Sequence, residues 1–174
     1  MSDLRYPIGR FAPPAEYSPQ LRAGFIEDIA ALPSQLRDAV RSLSAAQLQT
    51  PYREGGWTIA QVVHHLPDSH MNAYVRLRLA LTEDAPTIKP YNEGLWAELI
   101  DASSPDVAAS LSLLDGLHQR WTVLLRSLKP ENFSRTFTHP QQGAVGLDRQ
   151  LALYSWHGRH HVAHITALRA RMGW

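Results

Sequence analysis

From Leu147 to Met172 the residues Leu147, Leu151, Tyr154, Gly158, His161, Ile165, Leu168 and Met172 recur at alternating intervals of four and three. That period follows the turn of an α-helix, so the segment predicts one long helix with a continuous inward stripe. A stripe of this length needs other helices to cover it, and it carries an imidazole where a leucine would be ordinary. At about 100° per residue, His157 lies about 40° from His161 and His164 about 60°, whereas His160 stands about 100° away at the edge. The inward pair is His157 and His161.

The rest of the chain supplies partners. Prolines 7, 13, 14 and 19 make residues 1–19 an extended lead-in, followed by a first helix over Leu21 to Leu43. Thr58-Ile-Ala-Gln61 is a capping box after the turn residues Pro51, Gly55 and Gly56, so a second helix starts at Thr58 and runs to about Leu81. Pro67 predicts a kink in it. A short helix is expected within Tyr91 to Ile100, and a third long helix opens at Ser104-Pro105-Asp106 and ends near Leu128. Residues 129–147 read as loop, with a small hairpin arm at Phe133 to Thr138, and Asp148 is the expected cap of the last helix. Connections of roughly 15 to 20 residues are longer than antiparallel neighbours need, so some adjacent helices should run parallel. The expectation is a single all-α domain over 1–174, a four-helix bundle with long crossover connections.

Lysine plus arginine number 17 against 16 acidic residues, too even a balance to gather nucleic acid or anionic lipid. There is no cysteine, hence no disulfide, thiolate ligand or cysteine nucleophile. No apolar run is long enough to span a bilayer and no secretory signal opens the chain, so a cytoplasmic protein without a membrane partner is expected.

Nine histidines fall mostly into two clusters, His64, His65 and His70 on the second helix and His157, His160, His161 and His164 on the last. Residues four apart on a helix bring their Cβ atoms to about 6 Å, a gap that a metal about 2.0–2.1 Å from each imidazole nitrogen can bridge. A helical H-x-x-x-H also arises by chance, and a buried imidazole often finds only a hydrogen-bond partner. Two clusters, one of them inside a core stripe, favour a shared ligand, because desolvating several imidazoles together is costly. Which histidine of the second helix joins the pair is open on periodicity: His70 lies on the apolar stripe and is the pattern's choice, while His65 lies opposite, among Asp68, Asn72 and Arg76.

The blocks TPYREGGWT, QVVHHLPDSHMN, LALTEDAPTIKPY, WAEL and WHGRHHVAHI resemble the YfiT-type branch of the DinB-like metalloenzymes over nearly the whole chain. The resemblance implies a four-helix bundle, a homodimer, and one divalent ion per subunit, zinc or nickel. It also implies the ligands His65, the histidine directly before the leucine, with His157 and His161, and so replaces His70 by His65.

Three neutral histidines leave an ion its charge and an open position, as in catalytic sites. The implied activity is metal-dependent hydrolysis of a small-molecule substrate. Metal-dependent thiol transfer and non-catalytic metal binding are the alternatives. No G-x-S-x-G, H-E-x-x-H or E-x-x-H occurs, which excludes the serine-hydrolase, zincin and di-iron patterns. Asp68, Asn72 and His164 are candidates for orienting the ligands, each with a simpler role as a surface or interhelix polar residue. Tyr52, Arg53, Trp57, Tyr91, Trp96 and Trp156 are candidates for the site mouth, with Arg53 able to receive an anionic group.

Overall fold

A computed structural model describes residues 3–174. Among the described residues those ahead of Pro19 form no helix, in keeping with the prolines. α1 (Pro19–Val40) is capped by Ser18, whose hydroxyl accepts from the Leu21 amide, and it carries Pro33 in its interior. A four-residue helix, α2 (Ala45–Leu48), follows. A tight turn then brings the chain to α3 (Ile59–Thr82): the Tyr52 amide donates to the Trp57 carbonyl at 3.0 Å, and Gly55 takes a left-handed φ of 62°. The Thr58 capping box forms in both directions, at 3.1 Å and 2.9 Å. α3 continues unbroken through the buried Pro67.

α4 (Glu93–Ala97) is the short helix of the long connection and falls inside the expected range. α5 spans Ala108–Ser127 and begins later than Pro105 predicts. The reason is local: the Ser104 hydroxyl accepts from the Asp106 amide and the Asp106 carboxylate from the Ala108 amide, so these residues build a turn ahead of the helix. A 3-10 turn (Pro130–Ser134) leads into an antiparallel hairpin, β1 (Thr136–His139) with β2 (Gly143–Gly146), a few residues beyond the expected arm. α6 (Leu147–Met172) is the long C-terminal helix. Its cap is Gly146, not Asp148. Asp148 lies inside the first turn, and Arg22 of α1 holds its carboxylate through two bonds of 2.7 Å and 2.8 Å.

The four long helices pack in the cyclic order α1, α5, α3, α6, so that α1 lies diagonally from α3 and α5 from α6. Pairings fix their directions. Arg22 with Asp148, Asp28 with Ser155, and the Ala39 carbonyl with Arg169 make α1 and α6 parallel neighbours. His64 with Ser110 and His70 with His118 do the same for α3 and α5. α3 and α6 are antiparallel, with Gln150 on the Ala73 carbonyl and His157 beside His65. The expectation of parallel neighbours joined by long crossovers is met. No helix among the described residues is long and apolar enough to cross a membrane.

Two apolar clusters fill the bundle. One holds Ile29, Ala73, Trp121 and Tyr154; the other holds Leu32, Leu66, Leu114 and Ile165. On α3, α5 and α6 the residues between them in sequence include His70, His118, His157 and His161. The core is therefore two hydrophobic compartments separated by a layer of imidazoles.

Candidate metal centre

The turn 51–58 sets Trp57 against the histidine layer, 4.8 Å between ring centroids from His65. A β-carbon on Gly56 would lie 2.7 Å from Arg53 Cγ and 3.2 Å from Tyr52, so a side chain there would push both from their places in the turn. Gly158 acts similarly on α6. An added Cβ would stand 2.6 Å from Leu32 Cδ2, so the absence of a side chain lets α1 approach α6 one residue from His157.

One ring nitrogen from each of His65, His157 and His161 lies within 4.8 Å of the other two. His65 Nε2 and His157 Nε2 are 3.2 Å apart. Two imidazole nitrogens bound tetrahedrally to one ion at about 2.0–2.1 Å would be separated by about 3.3 Å, so this edge already has a coordinating span. His161 also keeps a buried Nδ1 with no hydrogen-bond partner, a polar demand that the protein does not meet. Burial lowers the pKa of all three rings, His65 to about 4 and the other two well below the usual range, with neighbouring imidazoles adding to the effect for His157 and His161. They are neutral at pH 7, the form that offers a lone pair to a metal. By these tests the donor set fits a divalent ion.

His70 lies outside this trio and directly behind it, its Nε2 3.1 Å from His157 Nδ1. The periodic stripe thus locates a residue that touches the cluster without belonging to it. His64 faces away, between the Ser110 hydroxyl at 2.7 Å and the Ser104 carbonyl at 2.9 Å. His160 is not at an open edge as its angle suggests. It is buried, stacked on Trp156 at 4.3 Å with Tyr6 of the N-terminal segment 6.0 Å away. His164 is covered by the same segment, its Nε2 3.2 Å from the Arg5 carbonyl, and it stacks on Tyr52. Asn72 donates to the Asp68 carbonyl on its own helix. The side chain hydrogen-bonded to a ring of the trio from outside it is His70.

A cavity of about 350 Å³ opens on the three histidines, with Trp57, Tyr91 and Trp156 among its walls. Arg76, Glu93 and His139 bring charge and polarity to it, and no ion-pair partner meets Arg76 among the described residues. Arg53 lines an adjoining cavity of about 330 Å³ with Tyr52, His160 and His164, and is engaged with the Tyr52 hydroxyl and the Glu54 carbonyl. Trp96 lines neither and packs on Tyr91. His139 and Glu93 were not legible as site residues, because a hairpin and a one-turn helix distant in sequence deliver them.

The chain is 52% identical over its full 174 residues to a protein of Bacillus mycoides, and 53% identical to one of Bacillus cereus, with all of both relatives covered. Both are provisionally named metal-dependent hydrolases. YfiT from Bacillus subtilis, described as a probable metal-dependent hydrolase with an unusual four-helix bundle topology, superposes with a TM-score of 0.95 at 49% identity over 98% of each chain. The four-helix bundle protein TT2238 shares the fold, with a TM-score of 0.56 at 22% identity over 86% of this chain and 98% of that one. The DinB superfamily model matches residues 29–165, which run from α1 into α6 and include all three clustered histidines, and the chain belongs to that superfamily.

Proposed function

We propose that His65, His157 and His161 hold one divalent ion, zinc or nickel, and that the protein uses it to hydrolyse a small-molecule substrate seated in the adjoining cavity. The observation that carries this reading is the convergence of three neutral imidazole nitrogens on one point, two of them 3.2 Å apart. A divalent ion with three protein ligands supplies a Lewis acid that polarises a substrate oxygen and activates water at neutral pH. The chain's own residues do the rest. Trp57, Tyr91 and Trp156 wall the cavity with aromatic surface that excludes bulk water and grips an apolar body. Arg76 offers a guanidinium to an acidic group on the substrate. The names of the Bacillus relatives support the hydrolytic assignment, and the resemblance to the YfiT-type branch supports a homodimer, which light scattering would measure.

The test is metal analysis of tag-free protein, followed by ester, amide and thiol-conjugation screens on chelated and metal-restored samples. About one equivalent of metal is expected, lost in the His157→Ala/His161→Ala pair, with hydrolysis returning only when metal is restored. Less than about a tenth of an equivalent, unchanged by the pair, would overturn the metal assignment. Hydrolysis insensitive to chelation would overturn the catalytic one.

A further inference from the structure

Pro33 has no N–H, so the carbonyl four residues earlier on α1, that of Ile29, lacks its helical donor. His118 of α5 takes that acceptor: its Nδ1 is 2.6 Å from the Ile29 oxygen. His118 Nε2 in turn faces His70 Nδ1 of α3 at 3.0 Å, and His70 Nε2 faces His157 Nδ1 of α6 at 3.1 Å. One chain of hydrogen bonds thus crosses all four long helices, from a proline-freed carbonyl to a residue of the metal centre.

The order of the atoms fixes every proton. A carbonyl oxygen only accepts, so His118 carries its proton on Nδ1 and presents a lone pair at Nε2. His70 must then donate from Nδ1 and accept at Nε2, and His157 must donate from Nδ1. An imidazolium at His118 or His70 would be a cation in a sealed layer, since both are almost wholly inaccessible, and one at His157 would be crowded by the rings of His65 and His161. The lone pair of His157 is left on Nε2, the nitrogen 3.2 Å from His65 Nε2. We infer that His118 and His70 are positioning residues which hold His157 in the Nδ1–H tautomer, so that the bundle commits His157 to bind its metal through Nε2.

This relay rests on the metal-site reading for its purpose, though not for its existence, and the experiment separates the two. Long-range proton–nitrogen NMR of the ¹⁵N-labelled, metal-free protein at pH 7.5 reads the tautomer of each ring. His118, His70 and His157 should all carry the proton on Nδ1, and a proton on Nε2 of any of the three would overturn the inference. Zinc affinity is then measured by competition with a chelator. His70→Phe should weaken zinc about 10- to 100-fold, the range for loss of a partner behind a ligating histidine, and return His157 to a mixture of tautomers. His118→Phe should disturb the His157 tautomer without touching that ring. Unchanged zinc affinity in a folded His70→Phe protein would overturn the positioning role. Wild-type protein that binds no zinc yet shows the three Nδ1–H tautomers would defeat the metal reading and leave the relay standing.

Discussion

Acidification of the metal-free protein should destabilise it steeply between pH 6.5 and 5, because its core is divided by imidazoles that burial keeps neutral. His65 and His118 are each pushed from the usual 6.5 to about 4. Between those values the unfolded chain takes up protons that the folded one refuses, so stability is full above pH 6.5 and falls as pH drops through the window. Each ring contributes about 1.4 kcal/mol per pH unit, so at pH 5 the two together remove roughly 4 kcal/mol from a total that is typically about 5–15 kcal/mol. His70, His157 and His161 are shifted in the same direction and steepen the loss. Asp68 and Glu93, raised by burial, act in the opposite direction. Urea unfolding with chelator present, at half-unit steps from pH 7.5 to 5, should show the midpoint dropping at constant slope. A free energy flat to within about 1 kcal/mol across that range would refute the claim that these rings are buried and neutral. Zinc at about 100 times its Kd should add about 2.7 kcal/mol at pH 7, with the benefit shrinking as protons compete for the ligands.

Gly158→Ala gains about 1 kcal/mol of helix propensity and meets the fully packed Leu32 methyls, where overpacking costs about 1–3 kcal/mol. The expected result is a net loss of about 1 kcal/mol, relieved by at least about 0.5 kcal/mol of coupling when Leu32→Ala is added. A stabilised Gly158→Ala protein in thermal melts would show that the α1–α6 approach is looser than described. Arg76→Gln should raise KM for acidic ester substrates about tenfold or more, the cost of one charge-assisted contact, while leaving neutral esters unchanged. Equal effects on both classes would remove Arg76 from substrate recognition.

Much of this molecule is local physics and so was legible in the linear chain. The Thr58–Gln61 capping box, the unbroken stripe from Leu147 to Met172, and the inward pairing of His157 with His161 each depend on residues within a few turns of one another. Parallel neighbours followed from connections too long for hairpins. Periodicity alone did not group His65 with the pair, because a helix wheel gives an angle and not the neighbour that fills it: His65 and His70 sit on different sides of α3, and α6 reaches both through His157. It also placed His160 at an edge, since nothing local reveals that Tyr6 of the N-terminal segment comes over the face where His160 stacks on Trp156. Asp148 had the composition of a cap, yet Arg22, 126 residues away, claimed it.

His118 belongs to neither histidine cluster, and the helical period over Leu21 to Leu43 assigns Pro33 no role. The tertiary structure gave both a role, because only packing α1 against α5 brings the carbonyl freed by one within 2.6 Å of the other. Helix formation is decided by neighbours in sequence, and so the sequence alone determined the four long helices and that the last one carries inward imidazoles. Which nitrogen carries a proton, and which rings share a point in space, is decided by atoms brought together from four helices. Those facts exist only once the bundle has closed.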